Sequence, residues 1–365
     1  MLSLQLHQYI PDVSAHCVPR QRSSQGGAPE GPDPVALAAL PNPGPRQGAT
    51  AGHSRVAVLH ADGTLVVWRL DRCVPERRIA TGIETSIGMR AHPDGRRLVL
   101  ADRDGHVEVW DAMTGEQIGV MDIAESWEHL REPARDLALL HGGREALVST
   151  VEHEGPDCFQ LIYDLDSELH THFSHMGPGP IEWVAGTSAA GLLFEASSSR
   201  EWIGARPLDP GPPNSGLFDE DAAAGWLVPL ESDLNCFTMV PAFDMAVSAH
   251  NDGAIRFWND EGLVNTLQLH HGAVLWVSGM LSAETTEELL LSVTDDRTLR
   301  LWAMEEVVDV VGYQTGDADP EPIATYLHDA ALFRCELLDG PNFAVAFVAA
   351  LDARGGMLVL RVVDV

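Results

Sequence analysis

Residues 91–118 read AHPDGRRLVLADRDGHVEVWDAMTGEQI, and the core of that stretch, an Asp-Gly turn followed by alternating apolar residues and a Trp, recurs along the chain. It stands as HADGTLVVWRL at 60–70, DRDGHVEVWDA at 102–112, HNDGAIRFWND at 250–260 and, with Arg in place of Gly, TDDRTLRLWAM at 294–304. The alternation has the period of a half-buried strand, and the Asp-Gly pair is a tight-turn signal. Around the second copy, RRLVLAD and HVEVWD read as strands joined by DRDG, with SIGMRA upstream and EQIGVMD downstream as an inner and an outer strand. The repeating unit is therefore a four-stranded antiparallel meander. Such a sheet cannot cover both of its own faces, so its copies must stack on one another.

Weaker third strands follow at CFQLIYDLD (158–166), REWIGARPLD (200–209) and GGMLVLRVVDV (355–365), and counting third strands gives seven. The expected fold is all-β: a seven-bladed β-propeller of four-stranded antiparallel blades. On these residues the chain resembles the WD-repeat propeller family, in a bacterial-type form, from about residue 35 to the C-terminus. The second blade matches best, and blades three, four and seven are degenerate. The resemblance implies a hydrogen-bonded set of His, Ser or Thr, Asp and Trp in a blade. Blade six can supply it with His270 or His271, Ser292, Asp296 and Trp302. Elsewhere only the pairs Asp62 with Trp68, Asp104 with Trp110 and Asp252 with Trp258 stand, while His328 opens blade seven. The Asp residues of these turns are expected to accept backbone N–H bonds.

Because the last unit stops at its third strand, its outer strand is expected from the other end of the chain, where LSLQLHQYI (2–10) alternates well. That arrangement would close the ring and remove unpaired edges. The domain reading is a closing strand at 1–10, a Pro/Gly-rich loop at 11–34 and the propeller at 35–365. Further insertions fall at 41–52 within blade one, 123–133 between blades two and three, 209–225 after the third strand of blade four, and 312–322 between blades six and seven.

Composition narrows the function. With 54 acidic and 23 basic residues the net charge is −31, which repels nucleic-acid phosphates and anionic membranes. There is no Lys, which excludes Schiff-base and P-loop chemistry. Cys17, Cys73, Cys158, Cys236 and Cys335 are widely spaced and suggest neither a disulfide framework nor zinc. No signal peptide or membrane span is legible, so a cytoplasmic protein is expected. His170, His172 and His175, with His270 and His271, read as solvated or blade-start residues rather than a metal site. No nucleophile motif is present, carboxylate runs sit in loops, and the inner strands read mainly apolar; no cofactor, no metal and no enzymatic activity are expected.

What remains are aromatic and acidic residues of the connections. Trp183 in PIEWVAG and Trp276 in GAVLWVSG share one inner-strand register, which suits packing; near the channel mouth the resemblance implies peptide contact. Trp127, flanked by Glu125, Glu128 and Glu132, suits an aromatic anchor in an acidic rim. The candidate contacts are Trp127, Glu128, Arg131, Trp183, Trp276, Asp317 and Asp319. The function expected is a non-catalytic protein-interaction scaffold, monomeric by itself, presenting an acidic loop face to a basic or neutral protein segment. The alternatives are a regulatory or sensing subunit of a bacterial ATPase- or protease-associated complex and, less in keeping with the residues, a metal-dependent propeller hydrolase.

Overall fold

The structure, a computed structural model, describes residues 2–11, 13, 34–40, 54–122, 134–150, 157–166, 170–176, 181–197, 202–207, 225–240, 244–268, 270–281, 288–303, 321–338 and 347–364. It is a seven-bladed β-propeller, each blade a four-stranded antiparallel sheet. The inner strands, in ring order, are Pro34–Leu40, Ser86–Ala91, Ala134–Leu140, Trp183–Thr187, Leu234–Val240, Val274–Leu281 and Leu332–Leu338. Each packs against the inner strands of both neighbours, and the seventh packs on the first, so the circle is closed.

Six blades are built from consecutive strands. In the seventh the order outward is Leu332–Leu338, Phe347–Asp352, Met357–Asp364 and then Leu2–Ile10. The expected closing strand thus pairs antiparallel with the final strand, from Leu2 opposite Asp364 to Ile10 opposite Met357. The expected link between blades six and seven is corrected: Ala324–Leu327 is the outer strand of blade six, so the 312–322 insertion falls inside that blade, between its third and fourth strands.

Why these segments are strands follows from where their side chains go. Among the described residues the buried apolar side chains form seven clusters, one at each blade-to-blade interface. In Arg55–His60, Val56 and Val58 turn toward blade seven while Ala57 and Leu59 turn toward blade two. In Arg97–Asp102, Leu98 and Leu100 face blade one, and Val99 and Ala101 face blade three. Period-two strands buried on both faces must be apolar at nearly every position, which is why the middle strands lack a polar face.

The Asp-Gly turns need a left-handed residue, and Gly63, Gly105 and Gly253 supply it at φ 78°, 82° and 84°. Arg297, which stands for Gly in the fourth copy, is held in the same conformation at φ 70°. Restoring the glycine, Arg297→Gly, is expected to raise stability by about 0.5–1 kcal/mol in a denaturant titration, since relief of the left-handed strain outweighs the added unfolded-state freedom.

A side-chain lock accompanies the strand pairing. Tyr9 Oη donates to Asp352 Oδ2 at 2.7 Å, and Oδ1 of the same carboxylate accepts from the N–H groups of Arg354 at 2.9 Å and Gly356 at 2.8 Å. His328 Nε2 lies 3.2 Å from Oδ2. Burial alone would push the Asp352 carboxyl up, but the bonds from Tyr9, Gly356, His328 and Arg354 outweigh it and hold it below the usual carboxylate range. A Cβ on Gly356 would sit 2.5 Å from Tyr9 Oη, so the chain keeps glycine there to admit the phenol. Tyr9→Phe should cost about 1–2 kcal/mol of stability, read as a lowered denaturant midpoint at unchanged slope.

Candidate functional site: the axial channel

All seven inner strands carry a β-bulge, and in six of them it falls between the first and third residues. This fixes a common register. Ala36, Gly88, Asp136, Cys236, Trp276 and Arg334 lie just past the bulge, each opposite the penultimate residue of its neighbouring strand. Trp183 is opposite Ala196, also penultimate, and so holds the same place in blade four. Two residues on come Ala38, Arg90, Ala138, Thr238, Ser278 and Glu336 in the six other blades. Two rings of side chains therefore form around the axis.

The charges in these rings come together across blades. Arg90 Nη2 of blade two is 3.2 Å from Asp136 Oδ1 of blade three. The same carboxylate accepts the N–H of Leu137 at 2.8 Å and, through Oδ2, that of Val184 at 2.9 Å. Ser278 of blade six donates to Glu336 Oε2 of blade seven at 3.0 Å, and the Arg334 guanidinium lies over the Trp276 ring at 4.4 Å from its centroid. Beside them is a cavity of about 200 Å³ lined by residues of blades one, two, five, six and seven, among them Arg90, Trp276, Ser278 and Glu336. Burial pushes the Asp136 carboxyl up against the pull of Arg90 and the two backbone donors. Burial also raises Glu336 to about 7, against Ser278, Arg90 and Arg334, and it raises the Cys236 thiol to about 12. The guanidinium of Arg334 is lowered by burial and by Arg90, opposed by Cys236, Glu336 and Asp136. The inner strands are mainly apolar, as expected, but Arg90, Asp136, Arg334 and Glu336, from three of them, come together near the axis.

Trp276 packs against both the five–six and six–seven interfaces, and Trp183 against the four–five interface, both partly buried. Trp127, Glu128, Arg131, Asp317 and Asp319 lie outside the described residues.

The blade-bracing residues vary on one theme. In blade six Ser292 Oγ accepts from Trp302 Nε1 at 2.9 Å and meets His270 Nε2 at 3.2 Å. His270, not the exposed His271, is the buried member. The expected fourth member, Asp296, instead bonds Thr294 and the Thr298 N–H, leaving His270 Nδ1 without a partner among the described residues. Blade five builds the same triad with its histidine on the strand: Ser248 Oγ receives Trp258 Nε1 at 2.7 Å and lies 2.7 Å from His250 Nε2. In blade two Glu108 replaces the hydroxyl, accepting from Trp110 Nε1 at 2.8 Å and lying 3.3 Å from His106 Nε2. Trp68 is buried between blades seven and one. The turn roles of Asp62, Asp252 and Asp296 are seen as N–H bonds from Thr64, Ala254 and Thr298. In blade two that role belongs to Asp102, which accepts from Asp104 and His106, whereas Asp104 is exposed. Blade four puts Arg206 where the Trp would stand, paired with buried Glu195 and with Gln160 of blade three.

Such braces define a WD-repeat-like β-propeller. No protein-family model matches the chain. It is 21% identical over 263 residues to the nuclear distribution protein nudF of Aspergillus niger, an alignment covering 71% of this chain and 48% of that protein. The chain thus matches about half the length of that relative. Among the described residues no group of three or more His, Cys, Asp or Glu could hold a metal ion, and no helix is long and apolar enough to cross a membrane.

Glu336 makes stability depend on pH in a defined direction. Its carboxyl ionises near 4.5 in the unfolded chain and near 7 in the fold, so folding binds a proton between those values and stability is lost as pH rises through them. Glu336→Gln should remove this loss: denaturant midpoints of the variant relative to the wild-type protein should be higher at pH 8 than at pH 4.5.

Proposed function

We propose that this protein is a non-catalytic interaction scaffold, a member of the WD-repeat family whose rigid ring presents acidic, aromatic connections to a basic or neutral segment of a partner protein. The observation that carries the reading is the closed ring itself: seven apolar interfaces lock the blades together, so the ring on which the connections are mounted loses little ordering entropy when a partner docks. The net charge of −31 supports a partner of opposite sign and argues against nucleic acid and anionic membranes. On this reading Trp127 anchors the contact, Glu128 and Arg131 flank it, Asp317 and Asp319 extend the acidic rim, and Trp183 and Trp276 present their edges at the channel mouth. The protein works in the cytoplasm as a monomer until its partner arrives, without metal or cofactor. Likeness to nudF at this level of identity is consistent with the scaffold role and says nothing of which partner is bound.

The test is affinity purification at low salt with identification of the bound protein, followed by binding measurements on that partner. Reversing Glu125, Glu128 and Glu132 to Arg should weaken binding about tenfold or more at low salt and less at high salt, where screening has already removed the attraction. Retained affinity in the charge-reversed protein, or affinity indifferent to salt, would dispose of the acidic-face reading.

A further inference from the structure

Four Asp-Gly pairs stand among the described residues, at 62–63, 94–95, 104–105 and 252–253. Such a pair carries chemistry of its own: the glycine nitrogen, with no side chain on the carbon after it, can close on the aspartate Cγ to form a five-membered imide. The nitrogen side is alike at all four. Gly63, Gly95, Gly105 and Gly253 stand at φ 78°, 67°, 82° and 84°, and each donates its N–H to the carbonyl three residues back, at 2.9, 2.9, 3.1 and 3.2 Å. Any difference in reactivity therefore lies with the carboxyl group.

Three of the four carboxylates hold the N–H two residues on. Asp62 Oδ1 accepts from Thr64 at 2.9 Å. Asp94 Oδ1 accepts from Arg96 at 2.8 Å and from the N–H of Arg97 at 2.9 Å, and its Oδ2 takes Arg97 Nε at 2.8 Å. Asp252 Oδ1 accepts from Ala254 at 3.0 Å while Oδ2 pairs with Arg256 Nη2 at 2.7 Å. Blade two breaks the pattern. There the corresponding N–H, that of His106, goes to Asp102 Oδ1 at 2.9 Å, and the same oxygen takes the N–H of Asp104 at 3.0 Å. Asp104 is left exposed, its carboxylate without a hydrogen bond or ion pair among the described residues.

Commitment slows the imide in two ways. A bonded carboxylate must give up its donors before Cγ can swing onto the next nitrogen. Ring closure also expels a hydroxyl, which the neutral acid releases far more readily than the carboxylate does. Burial would raise the Asp94 carboxyl, but its bonds to Arg97 and Arg96 outweigh that and hold it at about 2; at Asp252 the Arg256 pair and the Ala254 N–H win over burial in the same direction.

We propose that Asp104-Gly105 is the modification site among these four, the one at which the folded chain converts aspartate to isoaspartate. The Gly105 nitrogen bonds to Asp104 Cγ, the bond from Cγ to its hydroxyl oxygen breaks, and the amide proton leaves with that hydroxyl as water. A second water then opens the ring. Cleavage between Cγ and nitrogen restores aspartate, whereas cleavage between the main-chain carbonyl and nitrogen leaves isoaspartate, its backbone rerouted through Cγ and one methylene longer. The turn so lengthened is a tie point: Arg103 donates its N–H to Thr85 O at 2.9 Å and accepts that of Ala134, the first residue of blade three's inner strand, at 2.8 Å. The inference does not rest on the docking reading, since the chemistry proceeds whether or not a partner binds.

Incubating the full chain in heavy-oxygen water at neutral pH, below its unfolding transition, tests it, because every passage through the imide leaves one heavy oxygen behind. Peptide mapping by mass spectrometry, with electron-transfer fragmentation to mark isoaspartate, reads each site separately. Asp104 should take up label about tenfold faster or more than Asp62, Asp94 or Asp252, the factor that one hydrogen bond to a charged group is worth. In urea, where all four carboxylates are released, the rates should converge. Asp104→Glu, which keeps the charge but would have to close a six-membered ring, should abolish labelling at 104, and Arg256→Gln should speed it at Asp252. Thermal unfolding checks that each variant is folded; should Arg256→Gln fail to fold, the comparison of native with urea-treated wild-type chain decides. Labelling at Asp104 no faster than at the other three in the native chain, the same spread of rates persisting in urea, or an unmoved rate at Asp252 in folded Arg256→Gln would each overturn the assignment.

Discussion

A blade of this protein has no core of its own. Each sheet is apolar on both faces, and its side chains are shared in alternation between the interface before it and the interface after it. Nothing is buried until a neighbour arrives, and the first and seventh blades lack one until the ring shuts. Closure is thus the constraint on which the rest depends, and it rests on the pairing of Leu2–Ile10 with Met357–Asp364 and the Tyr9–Asp352–His328 lock across that seam. Placing chain ends far apart in sequence within one sheet makes the last contact the longest-range one, whose loop-closure entropy the local strand pairs cannot offset on their own.

Closure also explains what the braces do. Trp302 and Trp258 each end in a hydroxyl that meets a histidine, so a large side chain is buried without stranding its N–H. The particular groups are interchangeable as long as the indole keeps an acceptor, and Glu108 does for Trp110 what a serine does elsewhere. Blade four goes further and seats a half-buried Arg206 against buried Glu195 and against Gln160 of the adjoining blade, so the buried carboxylate has its counter-ion. The burial that stabilises these histidines in neutral form shows in His250 and His270, both lowered to about 4 chiefly by desolvation.

How much of this could be read in the chain follows from how local each signal is. The strands, the tight turns and the strong repeats are local, and they are where expectation and structure agree. The channel is not local. Arg90, Asp136 and Arg334 stand in SIGMRA, ARDLALL and LFRCELL, one or two charges in each otherwise ordinary strand, separated by up to 244 residues. Only the shared bulge, which sets one register for all inner strands, brings them to the same height. A faint signal did exist: a charge in a strand buried on both faces must find a partner or a solvent-filled space, and an inner strand has the axis to offer. The swap of Asp102 for Asp104 is of the same kind, since two carboxylates flank one turn and only backbone geometry selects which reaches the N–H groups.

By itself the amino-acid sequence determined the repeating meander, the count of seven, the turn chemistry and the apolar alternation, because strand period and turn geometry are set by side chains a few residues apart. Tertiary structure alone decided which end of which strand faces the axis, which histidine of the pair at 270–271 is buried, and that Arg334 should meet Trp276 rather than a carboxylate. Those outcomes depend on the angle and register at which seven sheets meet around a common centre, and no single stretch of chain carries that information.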